Sequence, residues 1–262
     1  MSKKWLVTGV SGSGRIELLN EIKAEAKKRN INVEVHDISE QLRQQAQHVG
    51  MKIVDERILD VDPTQLRLLR TSALQSVEMA ILLHPEVDHH FIGTHVTFRW
   101  KKRLIQGISY KDILELKPDA MLNVVHDVEA VFAKNQLNPK WTPETLPSLE
   151  ETLDWMIEEE FVTEMLAEVR DVSMFLIARR HSIQNLADLF FTPKKRIYLS
   201  YPITAVRDDH PEMLEQIEGP ILEELERLFV VFDPRRRRIR LPRQALPAQP
   251  DLRPSPSLFP SR

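Results

Sequence analysis

The sequence contains no cysteine among its 262 residues. That absence excludes disulfides, thiolate metal sites and cysteine nucleophiles, and it fits a reducing, cytoplasmic setting. Glycine is scarce, at seven residues, and tyrosine scarcer, at three. No apolar run approaches the ~20 residues of a membrane span. The run after Met1-Ser2-Lys3-Lys4 is short and ends in glycines, unlike a secretory signal. No internal repeat or low-complexity stretch precedes residue 234. The body also lacks the interleaved basic and aromatic pattern of a nucleic-acid binder.

The net charge of −3 conceals an imbalance. Residues 234–262 hold eight Arg, no Lys, seven of the 17 prolines and a single acid, Asp251. The first 233 residues therefore carry 28 basic and 38 acidic side chains, a net of −10. The tail reads as a disordered segment. Arg235-Arg236-Arg237-Arg238 is either a patch for nucleic acid or simply solvated.

Before the tail, strand and helix signals alternate. Strands are expected at Trp5–Thr8, Ile31–Val35, His90–Thr94, Ala120–Val125 and Val172–Ala178. Helices are expected after Gly14, from Asp62-Pro63 to about Leu83, from the capping box Ser148–Glu151 to about Val169, and from Ser182 to about Phe191. Strands separated by helices imply parallel pairing. The first ~190 residues thus read as an α/β sandwich with a mainly parallel sheet. A shorter β-α-β pattern follows at 193–233, with a bend at Gly219-Pro220. It either extends the first sheet or begins a second domain. Three segments result: 1–192, 193–233 and the tail 234–262.

Three of the seven glycines, Gly9, Gly12 and Gly14, fall between the first strand and the first helix. Such a turn gathers backbone N–H groups into an anion-binding nest at a helix N-terminus. The other reading is a tight turn whose glycines only permit positive φ. The spacing Gly9-x-x-x-x-Gly14 matches a phosphate loop, yet the Lys and Ser/Thr that should follow are Arg15 and Ile16. Arg15 keeps the charge in a planar fork of different reach. Ile16 has no oxygen to offer Mg²⁺.

With Phe91-Ile92-Gly93-Thr94-His95 and the run from Gly107-Ile108-Ser109-Tyr110 to Lys117-Pro118-Asp119-Ala120, this loop resembles the adenylate kinase-like branch of P-loop nucleoside and nucleotide kinases over 1–192. The resemblance implies a three-layer P-loop fold that binds ATP or another nucleoside triphosphate through Gly9, Ser11, Gly12, Ser13, Gly14, Arg15 and Ile16. A small nucleotide-like acceptor would face His95 and Arg99, with Arg170 as a lid-like cation and Arg15 and Arg99 acting on the phosphoryl group. Thr94-His95 match the family, but Gly93 stands where its magnesium-holding Asp would be. Two metal-site contributors are thus absent together, and phosphoryl transfer leans on Mg²⁺. The implied function is nucleotide binding with phosphotransferase activity weakened or lost, or else a non-catalytic sensor or scaffold. Asp88, five residues before Gly93, belongs near the strand's other end.

Arg99, Lys101, Lys102 and Arg103 form a basic cluster, either for a phosphorylated acceptor or as a solvated helix face. Arg179-Arg180-His181 poses the same question. His89-His90 finds no spaced His or carboxylate to complete a metal site, so strand-end histidines are the expectation. Lys195–Ile203 is similar to the opening strand of nucleoside 2-deoxyribosyltransferases, with Tyr201 replacing that family's Gly. That family's catalytic glutamate lies downstream of the matched segment, so no catalytic residue is assigned there.

Overall fold

The protein was analysed as a computed structural model, which describes residues 2–53, 57–202, 206 and 209–232. The chain begins β1 (Lys3–Thr8), α1 (Arg15–Lys28), β2 (Val33–Asp37), α2 (Ile38–His48), a 3-10 turn at Ile58–Asp60, and α3 (Pro63–Leu83). Next come β3 (His89–Gly93), β4 (Thr97–Trp100), β5 (Arg103–Gln106), α4 (Tyr110–Leu116), β6 (Ala120–Val125) and α5 (Val128–Gln136). Then follow α6 (Leu149–Arg170), β7 (Met174–Ala178), α7 (Ile183–Phe191), β8 (Arg196–Tyr198), α8 (Pro211–Gln216), α9 (Leu222–Leu228) and β9 (Val230–Phe232).

Local chemistry sets the helix starts. Asp62 accepts from the N–H groups of Thr64 and Gln65, with Pro63 at the first position of α3. Ser148 and Glu151 close a reciprocal capping box on α6, and Ser182 caps α7 through the Asn185 N–H. Each cap contributes about 0.5–2 kcal/mol.

Five strands form one sheet in the order β2-β3-β1-β6-β7, every neighbour parallel. Neighbouring strand residues face opposite sides. Val7, Phe91 and Leu122 pack against Leu18, Leu19 and Ile22 of α1 and Leu186 and Phe190 of α7. Leu6, Ile92 and Met121 face the other way, onto Leu42 of α2, Leu69 and Ala73 of α3, Ile113 of α4 and Leu166 of α6. The result is a three-layer α/β sandwich, as the alternation of elements predicted. Its first βα loop, Gly9–Gly14, lies at the carboxyl ends of the strands, where ligands of such sheets bind.

The stretch after Thr94 differs from expectation. It is an antiparallel hairpin, β4 paired with β5, and not a helix. The 193–233 unit does not extend the main sheet: β8 and β9 pair in parallel as a separate two-stranded sheet. That sheet docks on α7. Asn185 donates to the Val231 carbonyl at 2.7 Å and accepts from the Val231 N–H at 3.0 Å, while Val230 joins the core beneath α1 and α7. α8 and α9 meet in a widened turn, Ile217–Ile221, at the expected Gly219-Pro220 bend. Ile203 and the tail 234–262 lie outside the described residues.

Candidate functional site

Three loop glycines take φ values that L side chains rarely adopt: 146° at Gly9, 85° at Gly12 and 79° at Gly14. Space is also exhausted at two of them. A Cβ on Gly9 would sit 2.7 Å from the Val124 carbonyl oxygen, and one on Gly12 2.7 Å from that of Val131. Asn135 of α5 donates to the Ser11 carbonyl at 3.0 Å, and Lys140 donates to Ser11 Oγ at 2.7 Å. The loop is therefore clamped into shape by β6 and α5.

Its hydrogen-bond account is unequal. The Gly9 N–H goes to Glu159 and the Ser13 N–H to the Val10 carbonyl. The N–H groups of Gly12, Gly14, Arg15 and Ile16 find no acceptor among the described residues. Ser13 Oγ is buried and also unpartnered. Cations gather at this mouth. Beside Gly14 stand Arg179, whose Nε would be 3.0 Å from an added Cβ, and Lys134, whose Nζ would be 3.4 Å away. Lys134 is held by Glu17 at 3.0 Å and Arg179 by Glu21, which places both without neutralising the loop itself.

Arg15 does not join them. Its guanidinium turns inward, donating to the carbonyls of Gly9, at 2.7 Å, and Thr94. It lies 3.5 Å from both ring nitrogens of His95. Arg15 is 5% exposed, and its Nε has no partner among the described residues. Burial and the Arg15 charge push His95 well below the ordinary histidine range, which favours the neutral ring. Glu159 of α6 is the nearby counter-charge. It is buried and accepts from the N–H groups of Gly9, Val96 and Thr97 and from the Thr97 hydroxyl, at 2.6–3.1 Å. Burial raises its pKa against those four bonds.

Gly93 and Ile16 prove to be one feature. A Cβ on Gly93 would meet Ile16 Cδ1 at 2.8 Å and Arg15 Nε at 3.3 Å. The hydrocarbon of Ile16 therefore fills the space in front of the strand end. Asp88 accepts from the Asn32 N–H at the opposite end of β3, as expected.

A second cavity, of about 140 Å³, opens beside the loop. His95 and Lys140 line it with Phe98, Trp100, Trp141 and Trp155, and Arg43, Arg57 and Arg70 supply charge. Arg57 lies over Trp100, 5.6 Å from the ring centroid, and Arg70 over Phe98 at 5.9 Å. Arg57 Nε and Arg70 Nη2 are buried with no partner among the described residues.

The structure thus unites Gly9, Ser11, Gly12, Ser13, Gly14, Arg15, Ile16 and His95, and separates two expected partners from them. Arg99 lies on β4 and pairs with Glu158, at 2.8 Å through Nε, with Lys101 and Lys102 around a different cavity. Arg170 ends α6 at the foot of the sheet, where its charge acts on Lys4. Four residue steps along β1, from Lys4 to Thr8, separate that level from the loop, ~13 Å at strand rise. Sequence reasoning missed Glu159, although its signal was there: a carboxylate on the buried stripe Thr152, Trp155, Met156, Thr163, Leu166. It also missed the pairing of His90 with β2. Nδ1 of His90 lies 3.1 Å from His36 Nε2, and Glu34 stands beside both. His89, in contrast, accepts from the Trp5 indole N–H at 3.0 Å and is satisfied in the core.

No protein-family model matches the sequence, and no curated protein matches it. Solved structures resemble the fold distantly. Shikimate kinase from Bacteroides thetaiotaomicron is 15% identical, with 72% of this chain and 98% of that chain covered and a TM-score of 0.42. Shikimate kinase from Acinetobacter baumannii, in complex with shikimate, is 12% identical, with 72% and 91% covered and a TM-score of 0.42. A sugar kinase from Janibacter sp. HTCC2649 is 15% identical, with 72% and 92% covered and a TM-score of 0.39. Among the described residues, no helix is long and apolar enough to cross a membrane.

Proposed function

We propose that the chain binds a nucleotide, ATP or another triphosphate, by its phosphates at Gly9–Ile16, with phosphotransferase chemistry weakened or lost. The carrying observation is the pairing of two features in one loop. Four N–H groups and Ser13 Oγ are left without partners among the described residues, beside Lys134 and Arg179. On the same loop, Ile16 packs into the room that Gly93 leaves, where a kinase of the resembled type would place a magnesium-holding carboxylate. The first feature offers charge-assisted hydrogen bonds to phosphate. The second leaves no oxygen from either position for Mg²⁺, which prefers oxygen ligands.

The aromatic and arginine-lined cavity suits the acceptor or base-bearing end of such a ligand. Aromatic side chains in its lining suit a planar ring, and Arg57 Nε and Arg70 Nη2 are donors with no partner among the described residues. His95 reaches this cavity; Arg99 and Arg170 have no part in the proposed site. The docking of β8 and β9 on α7 favours a second reading, in which nucleotide occupancy is communicated to the deoxyribosyltransferase-like unit.

Calorimetric titration of ATP and GTP, with and without Mg²⁺, tests the reading. Binding of similar strength in both conditions is expected. No heat at millimolar nucleotide would overturn nucleotide binding, and a strong magnesium requirement would overturn the loss of the metal site.

A further inference from the structure

Away from the phosphate loop, on the edge of the sheet, three potential metal ligands converge. Glu34 and His36 lie two residues apart on β2 and so share a face. The parallel register sets His90 directly opposite Glu34. His36 Nε2 and His90 Nδ1 are 3.1 Å apart, Glu34 Oε2 and His36 Nε2 3.8 Å, and Glu34 Oε2 and His90 Nδ1 4.0 Å. The circle through those three atoms has a radius of about 2.1 Å, the length of a zinc bond to imidazole or carboxylate. A cation at its centre would meet all three atoms without remodelling either strand.

We infer that Glu34, His36 and His90 form a divalent transition-metal site of the zinc class, bridging edge strand β2 to β3. The donor set selects the ion: two imidazoles and one carboxylate suit zinc, cobalt or nickel, whereas magnesium and calcium take oxygen. Burial supports it. His36 and His90 are 8% and 0% exposed, and desolvation lowers both pKa values, which disfavours the doubly protonated rings that could not bind a metal. Water reaches the site from the Glu34 side, whose side chain is 34% exposed, leaving room for a fourth ligand. The remaining nitrogen of His90, Nε2, is buried and has no partner among the described residues. A simple two-histidine hydrogen bond would explain the His36–His90 contact, but not the carboxylate set within 4.0 Å of both nitrogens.

The site also has a consequence for the cavity described above. One residue after His36, Asp37 ends β2 and caps α2 through the Ser39 N–H at 2.9 Å. Ser39, Leu42 and Arg43 of α2 line the aromatic cavity. Metal bound between β2 and β3 would fix the edge strand from which that wall departs.

The full, untagged chain, stripped with a chelator, is titrated with Zn²⁺ by calorimetry and with Co²⁺ by visible absorption. One metal per chain and the intense visible bands of low-symmetry cobalt are expected, together with a zinc-dependent rise in Tm. Glu34→Gln and His36→Gln, each verified as folded by circular dichroism, should weaken binding at least about tenfold, since even outer-shell changes cost 10–100-fold. His48→Gln, at an exposed position on α2, should leave it intact. Absence of a stoichiometric site in the wild type would overturn the inference. So would unchanged affinity in both ligand variants. If a variant does not fold, the wild-type cobalt spectrum decides: octahedral, aquo-like bands overturn the site. Because the test contains no nucleotide, its failure is distinct from failure of the phosphate-loop reading.

Discussion

Gly93→Ala examines the joint origin of Gly93 and Ile16 most directly. Gly93 closes β3 and is not among the glycines of positive φ, so alanine meets no backbone strain there. Its Cβ would sit 2.8 Å from Ile16 Cδ1, closer than real side-chain contacts come. Overpacking of this kind costs about 1–3 kcal/mol, offset by about 0.4–1 kcal/mol from the stiffer unfolded chain. A net loss of about 1–2 kcal/mol is expected. Ile16→Val removes Cδ1 and by itself costs about 0.5–1.5 kcal/mol. In the double variant the contact with Cδ1 is gone, leaving the 3.3 Å approach to Arg15 Nε, so the two losses should not fully add. A favourable coupling of about 1 kcal/mol is expected, within the range for residues in contact. Urea denaturation of the four proteins closes the cycle. Losses that add to within about 0.3 kcal/mol would refute the packing account. With it would go the view that Ile16 occupies the space of a strand-end carboxylate.

Other consequences are separate. Glu159→Ala strands three N–H groups and the Thr97 hydroxyl, and should cost on the order of 3–5 kcal/mol in chemical denaturation; a loss below 1 kcal/mol would show that the carboxylate is not the bolt it resembles. In chelator-containing buffer, acid should destabilise the fold above the usual carboxylate range. His36 is depressed from 6.5 to about 4 by burial first and by His90 second. The unfolded state therefore binds more protons in that window, stability is complete above pH 6.5, and it falls as pH drops toward 4. His36 alone contributes on the order of 3 kcal/mol. Thermal melts that stay level from pH 7 to pH 5 would contradict this.

How much of this was legible in the sequence depends on what each feature uses as its signal. The parallel sheet was legible because caps and apolar periods are local: Asp62-Pro63, Ser148–Glu151 and Ser182 each mark a helix where one forms. The β4–β5 hairpin was not. Its turn places Lys101 and Lys102 at φ 49° and 59°, positions where Asn-Gly is the usual marker, so two lysines in a basic run disguised it as a helix. Arg170 was misjudged by geometry rather than chemistry. A helix leading into a parallel strand ends at that strand's amino end, the wrong end for phosphate. The trio Glu34, His36 and His90 could not be seen without the register of β2 on β3, because 54 residues separate the two histidines.

The substitutions around the loop share a direction. A lysine at position 15 would present one compact charge that can swing toward a ligand. Arginine there has a fork, and the fork is spent on the Gly9 and Thr94 carbonyls, against the rim of neutral His95. Glu159 supplies the opposite charge from the far side and ties down Gly9, Val96 and Thr97. Ile16 and Gly93 then close the remaining space with hydrocarbon. On the proposed reading, each of these residues holds the protein together at a position that would act on phosphate or metal in the resembled kinases. Lys134 and Arg179, on other elements, still face the loop from outside. On the proposed reading, a site with an N–H cradle and outer cations, but with no oxygen at positions 16 and 93 to offer a metal, retains the forces for holding an anion. Under that proposal it lacks the means to redistribute the anion's charge during transfer, and this is why magnesium independence, rather than affinity alone, is the decisive property to measure.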